Sequence, residues 1–143
     1  MANRIQSAER LPADVLGDPQ LARRTMAVAG LFGIALIHLL DLEGKLEETT
    51  YLGVAFIGLI VACLLVAEAL LRGDDPRAWS AAGVLAGATI IGYCISRTAG
   101  LPGQPEDDLG NWLEPLGLAS LLVEGVVVWL SVSRLTAHRS GRR

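Results

Sequence analysis

The 143-residue sequence is poor in the residues from which most metal and redox centres are built. It has two cysteines and two histidines, and aromatic residues make up 5% of it. There is no CxxC pair, nucleophile elbow, P-loop or dinucleotide-binding fingerprint in the chain. His38 is the only histidine in an apolar segment, so one chain cannot supply two axial haem ligands from its spans. An enzyme is therefore disfavoured, and no cofactor is expected.

Charged residues are scarce in four long segments, which are apolar instead. Hydrophobic residues make up 52% of the chain, and its mean hydropathy is +0.45, as in an integral membrane protein. The apolar segments are residues 25–41, 51–71, 78–96 and 112–133. Each is close to the ~20 residues that a helix needs to cross a ~30 Å hydrocarbon layer. We predict an all-α, four-helix transmembrane bundle over residues 21–135, between cytoplasmic tails at residues 1–20 and 136–143.

The basic residues are distributed unevenly between the two predicted faces of the membrane. Ten of the twelve fall on the side of the two termini: Arg4, Arg10, Arg23, Arg24, Arg72, Arg77, Arg134, Arg139, Arg142 and Arg143. Only Lys45 and Arg97 fall on the other side. Because Lys and Arg near span ends concentrate in the cytoplasm, both termini are predicted to be cytoplasmic, in a multi-pass protein of the inner (plasma) membrane.

Short signals predict where the helices begin and end. Asp18-Pro19 and Asp75-Pro76 each combine an N-cap with proline at the first helical position. Gly44 is expected to stop the first helix. The fourth helix has two candidate starts, a capping box from Asn111 to Glu114 or a helix that begins at Pro115.

Five polar residues from three helices fall in one layer, within ~10 Å of the outer interface by the helix rise. They are His38, Asp41, Tyr93, Arg97 and Glu114. The simplest interpretation is structural, with Arg97 paired to Glu114 or Asp41, because a charge at this depth needs a partner. An alternative is a metal or redox site formed by His38, Asp41 and Glu114, since imidazole and carboxylate bind divalent metals.

Glu124 is the one ionisable residue near the predicted midplane, about 15 Å below Glu114 by the helix rise. An intramembrane carboxylate is by default a functional candidate, here a station for proton or solute movement. A neutral glutamic acid can equally join helices by hydrogen bonding, with Thr89 or Cys63 as neighbours at similar depth. Glu68 and Arg72 are expected to form a simple ion pair near the inner face.

Small residues recur along the third span at Gly83 and Gly87, a spacing that lets helix backbones approach closely. Two interpretations stay open, close packing inside the bundle and contact between two copies of the chain. The expected partners are the lipid bilayer and another membrane or extracytoplasmic protein. The basic C-terminal tail suits anionic head groups better than nucleic acid.

The segments HLLDLEGKLEETTYLG, GYCISRTAGLPG and NWLEPLGLASLLVE resemble a group of small four-span bacterial membrane proteins of actinobacterial type. The resemblance covers residues 25–134 and is most specific in SRTAGLPG and WLEPLG, although Thr50 replaces the proline expected before Tyr51. The chain is also similar in size and layout to DoxX-like proteins. The resemblance implies the four-span fold; the group has no established activity to carry over.

The leading functional hypothesis is a non-enzymatic membrane component. It would act as a subunit, scaffold or small-ligand-binding module through acidic outer loops, of which TAGLPGQPEDDLGN is the longest. Proton or solute transport through Glu124 is the first alternative, and the metal or redox site in the outer layer is the second.

Overall fold

The computed structural model describes residues 18–140, which form four α-helices and no strand. The helices are α1 (Pro19–Glu48), α2 (Thr50–Arg72), α3 (Pro76–Thr98) and α4 (Pro115–Ser140). A short 3₁₀ turn, Glu106–Asp108, lies in the α3–α4 connection. Each of the four helices is long and apolar enough to span a membrane, which confirms the predicted all-α, four-span fold. Residues 1–17 of the predicted tail at 1–20 and the last residues of the chain, 141–143, lie outside the described residues.

The predicted helix starts are found where aspartate precedes proline. The Asp18 side chain accepts a hydrogen bond from the backbone N–H of Gln20 at 2.8 Å, and Asp75 accepts one from Arg77 at 2.9 Å. Of the two candidate starts for α4, the structure adopts the one at Pro115, so the capping box from Asn111 does not begin the helix. α4 ends at Ser140, so most of the predicted C-terminal tail continues this helix.

The prediction that Gly44 stops the first helix is wrong. α1 continues through Glu48 and is, at 30 residues, the longest of the four helices. The additional turn is stabilised by packing, because Leu46 lies directly over Gly53 of α2. A β-carbon at Gly53 would come within 2.4 Å of Leu46 Cδ2. This contact outweighs the modest helix-breaking tendency of one glycine.

The buried hydrophobic core of the bundle lies mainly towards the end that contains Asp74 and Arg134, which we call the Arg134 end. Its core is fully buried and includes Leu31, Leu70, Trp79, Val127 and Leu130. Trp79 donates its indole N–H to Asp74 at 2.6 Å, and Arg134 of α4 donates to both carboxylate oxygens of Asp74. These bonds tie the α2–α3 connection to α4 and close this end of the bundle.

Glycine allows close helix contact at one of the two positions predicted in α3. A β-carbon at Gly83 would lie 3.1 Å from Ser131 Cβ of α4, so Gly83 serves packing inside the bundle. A β-carbon at Gly87 would meet nothing within 4 Å among the described residues. Close packing at Gly83 therefore occurs within one chain, and contact between copies stays a prediction.

Candidate functional site

A cavity of about 320 Å³ lies between the four helices in the half of the bundle opposite the Arg134 end. We call this opposite end, with Arg97 and the α3–α4 connection, the Arg97 end. The cavity extends from Lys45 and Asp108 to Glu124, and the ten residues between Glu114 and Glu124 correspond to about 15 Å along a helix. All six polar residues that the sequence singled out line it: His38, Asp41, Tyr93, Arg97, Glu114 and Glu124.

The cavity lies where α2 and α3 contact each other little and where small residues line the space between the helices. α1 packs extensively on α2, and α3 on α4, whereas α2 and α3 contact each other much less. The lining includes Ala55, Ala88 and Gly92, and a β-carbon at Gly92 would meet nothing within 4 Å. Other wall residues are apolar: Ile37, Leu52, Phe56, Leu59, Leu85, Leu101 and Leu116.

Arg97 in the last turn of α3 organises the polar end of the cavity. Its guanidinium group donates hydrogen bonds to the carboxylates of Asp108 and Glu114, and to the Asp108 carbonyl oxygen at 3.1 Å. The guanidinium carbon also lies 5.0 Å from the centre of the Tyr93 ring, a cation–π contact. The predicted pair with Glu114 is thus present, whereas within residues 18–140 the second partner is Asp108 and not Asp41.

Asp108 joins two cationic groups, a role that the sequence did not indicate. Lys45 Nζ of α1 lies 3.4 Å from Asp108 and 2.8 Å from Glu48. Burial raises the pKa of Asp108, but hydrogen bonds from Arg97 and Gln104 and the charges of Lys45 and Arg97 outweigh burial, so that the pKa lies below its ordinary value. Asp108 therefore stays ionised and links α1 to α3 through the α3–α4 connection.

The α3–α4 connection is held across the Arg97 end by hydrogen bonds to α2 and its N-cap. The Thr49 hydroxyl donates to the Gly103 carbonyl at 3.0 Å, and the Tyr51 hydroxyl donates to the Pro102 carbonyl at 2.9 Å. Gln104 donates to the Ser96 hydroxyl at 2.8 Å. Thr49 occupies the N-cap position of α2, but its side chain fixes the connection and makes no capping hydrogen bond.

His38 and Asp41 line the cavity, but they do not assemble a metal site. His38 Nδ1 donates to the Ile34 carbonyl at 2.9 Å, and the imidazole ring meets Phe56 edge-on at 4.8 Å between ring centres. Glu114, the third predicted ligand, bonds Arg97. In the described part of the chain no three His, Cys, Asp or Glu side chains come together as metal ligands would. The set His38, Asp41 and Glu114 is therefore not assembled.

Glu124 lies at the deep end of the cavity with 1% of its surface exposed. Its Oε1 accepts a hydrogen bond from the Ser120 hydroxyl at 2.7 Å, while Oε2 has no hydrogen-bond partner among residues 18–140. Thr89, an expected neighbour, lines the same cavity, but its hydroxyl donates to the Leu85 and Ala86 carbonyls. Ser120, one helical turn from Glu124, was not predicted, although its i,i+4 spacing is visible in the sequence.

The cavity thus combines apolar walls with a dense polar cluster at one end and a single half-bonded carboxyl group at the other. A concave, largely apolar space with few polar groups is suited to hold and orient a small molecule. No protein-family model matches the chain, and no curated protein or solved structure matches it either.

Proposed function

We propose that this is a multi-pass plasma-membrane protein that binds a small, largely apolar molecule in the cavity between its helices. The main observation that supports this proposal is the cavity of about 320 Å³ with Glu124 at its deep end. Ligand-binding pockets are typically about 300–1,000 Å³, with mostly apolar walls and a few polar groups that fix the ligand's orientation.

The contrast between the two halves of the bundle supports this function. Protein interiors are normally close-packed, because each void loses contacts that its lining atoms would otherwise make. The Arg134 end follows that rule with fully buried Trp79, Leu70 and Leu130. The other half keeps Gly92 and Ala88 at positions where larger side chains have room, as a binding site requires.

Two matched variants of α3 test this proposal. Gly92 and Gly87 are both helical, and a β-carbon at either meets nothing within 4 Å, but only Gly92 lines the cavity. Gly92→Leu should fill the cavity, and Gly87→Leu should not. Both variants should gain up to about 1 kcal/mol of folding free energy from better helix propensity. Native mass spectrometry of protein extracted gently from its own membranes should find a small bound molecule in the wild type and in Gly87→Leu. It should be lost in Gly92→Leu.

The outcome can contradict the proposal in two ways. A wild-type protein that carries only lipid or a second polypeptide would make the cavity a packing feature and favour a subunit or scaffold role. A bound molecule that persists in Gly92→Leu would place its site elsewhere on the chain.

Proton or solute transport is the second candidate, favoured by the unpartnered oxygen of Glu124 inside a span. Transport would need a second conformation, because the core around Trp79 and Leu130 separates Glu124 from the Arg134 end. Glu124→Gln keeps the shape of the side chain and removes its titration. Proton flux in liposomes should then stop if the protein conducts protons, and a wild type without flux would reject this candidate.

A further inference from the structure

We propose that the ligand of this cavity is an organic monocation, a protonated amine with an apolar body, whose nitrogen binds Glu124. This inference rests on the proposed ligand-binding function and adds the chemical class of the ligand.

The described lining of the cavity is acidic. It contains four carboxyl groups, those of Asp41, Asp108, Glu114 and Glu124, against the two cationic groups of Lys45 and Arg97. Since low-dielectric walls strengthen the field of such groups, an excess of negative charge attracts cations into a cleft and repels anions from it.

Both cationic groups of the described lining are already engaged. Arg97 bonds Asp108 and Glu114, and Lys45 bonds Glu48 at 2.8 Å and Asp108 at 3.4 Å. An anionic ligand would have to displace one of these carboxylates before it found a counter-charge. The lining therefore discriminates against anions.

Within the described residues, only one of the two carboxyl oxygens of Glu124 has a hydrogen-bond partner. The residue is 1% exposed, Ser120 satisfies Oε1, and Oε2 has no partner in the described chain. A buried carboxylate is costly unless a cation and hydrogen bonds compensate it. An ammonium group can supply both, because it carries a positive charge and N–H donors.

The rest of the lining favours an organic cation over an inorganic one. Metal cations need several oxygen or nitrogen ligands, and no group of three His, Cys, Asp or Glu forms within residues 18–140. The walls instead offer apolar surface from Leu59, Leu85 and the aromatic ring of Phe56. An amine with an apolar body uses one carboxyl group and this surface together.

Three probes with one carbon framework and different charge test the inference. They are phenethylammonium, which is cationic at pH 7, neutral 2-phenylethanol and anionic phenylacetate. Binding of radiolabelled phenethylammonium to the purified full-length protein in nanodiscs is measured first, and the other two probes then compete. We expect 2-phenylethanol to compete about tenfold or more weakly, the usual difference for a charged hydrogen bond, and phenylacetate not to compete.

Variants locate the charge recognition. Glu124→Gln should weaken phenethylammonium binding about tenfold or more and leave 2-phenylethanol within about twofold, because only the cation gains from the carboxylate charge. The control is Glu68→Gln, a carboxylate of α2 that pairs with Arg72 and does not line the cavity. It should leave the affinity of every probe unchanged. Gly92→Leu should weaken both phenethylammonium and 2-phenylethanol.

The results separate this inference from the proposed function. Suppose that 2-phenylethanol or phenylacetate binds the wild type with an affinity equal to that of phenethylammonium, and that Gly92→Leu weakens the binding of these probes. The protein then binds a ligand in the cavity but does not select for a cation. Unchanged phenethylammonium binding in Glu124→Gln also overturns the inference. If no probe binds, this inference fails, and native mass spectrometry of the wild type and Gly92→Leu decides the proposed function separately. If the probes bind but Gly92→Leu affects none, both proposals fail. Even if Glu124→Gln does not fold, the relative affinities of the three probes for the wild type show whether the cavity prefers a cation.

Discussion

Arg97 and Glu124 are two charged residues held inside apolar helices in opposite ways. Arg97 is surrounded by its counter-charges, since Asp108 and Glu114 both bind its guanidinium group and Tyr93 lies beside it. Glu124 has one hydrogen bond from Ser120 and an oxygen without a partner in the described chain. The first arrangement is that of a structural clamp, and the second leaves an acceptor for a ligand.

The clamp predicts a large stability difference between two arginine variants. Arg97→Met removes the cation that Asp108 and Glu114 share and leaves Asp108 only the longer of its cationic contacts, that with Lys45, and we expect a loss of about 3 kcal/mol in the free energy of unfolding. The control is Arg72→Met, because the Arg72 side chain is 78% exposed and pairs with the exposed Glu68. That variant should lose at most about 1 kcal/mol. Unfolding in mixed micelles measures both, and equal losses would refute the structural role of Arg97.

Asp108 predicts how stability responds to acid. Its pKa in the folded protein lies below the ordinary value because Arg97, Gln104 and Lys45 stabilise the carboxylate more than burial disfavours it. The stabilisation is therefore complete above the ordinary aspartate pKa of about 3.9 and is lost as pH falls from there through the lower folded-state value.

Melting temperatures measured between pH 7 and pH 2.5 test this dependence. The wild type should lose stability steeply below about pH 4, and Asp108→Asn should be less stable at pH 7 and show a shallower acid decline. Glu106→Gln is the control, since Glu106 is an exposed neighbour in the same 3₁₀ turn. An Asp108→Asn curve parallel to the wild type would contradict the assignment.

Among the helices, α4 carries the deep end of the site. It begins at Pro115, directly after Glu114, and places Gly117, Ser120 and Glu124 at successive intervals of three and four residues. These intervals put the three residues on one helical face, and all of them line the cavity. The helix start thus sets both the Arg97 partner and the depth of Glu124.

Gly117 is the closest contact on this face. A β-carbon there would lie 2.6 Å from Tyr93 Cε2 and 2.8 Å from the Tyr93 hydroxyl oxygen. Gly117→Ala should therefore displace the Tyr93 ring and destabilise the bundle by about 1–3 kcal/mol, the usual range for overpacking. Thermal unfolding measures the change.

Gly125→Ala is the matched control in the same helix. A β-carbon at Gly125 meets nothing within 4 Å, so alanine should stabilise the protein by about 0.5–1 kcal/mol through helix propensity. A stabilising Gly117→Ala would show that Tyr93 does not rest on Gly117.

At the scale of the whole molecule, one half of the bundle contains a buried core and the other half contains the cavity. The Arg134 end is closed by the hydrogen bonds of Asp74 with Trp79 and Arg134. The cavity occupies the half that ends at Arg97 and the α3–α4 connection. The orientation of the bundle therefore decides from which side of the membrane a ligand reaches the cavity. The concentration of arginine at the Arg134 end leads us to propose that this end is cytoplasmic.

Reporter fusions test this orientation. Green fluorescent protein fused after residue 143 should fluoresce, and alkaline phosphatase inserted after Gly103 should be active, because phosphatase folds only outside the cytoplasm. Fluorescence requires a cytoplasmic C-terminus. The reverse pattern would place the cavity on the cytoplasmic side and reject the orientation derived from the charge distribution.

The two regions that the sequence predicted least well are the end of α1 and the partners of Arg97. Gly44 predicts a helix end, but α1 extends to Glu48, where Leu46 packs against Gly53 of α2. That additional turn holds Lys45, which lies 3.4 Å from Asp108. Asp108 was grouped with the acidic loop residues, because nothing in its local sequence shows that the 3₁₀ turn carries it towards Arg97.

The sequence by itself determined the four apolar spans, the aspartate-proline helix starts, the polar layer and the depth of Glu124. All of these follow from hydropathy, local capping and the fixed rise of a helix, which depend on residues near one another in the chain. Only the tertiary structure decided that the six polar residues line one cavity and that Arg97 binds Asp108. Those features depend on which helices pack together and on contacts between residues far apart in the chain, which have no local signature in the sequence.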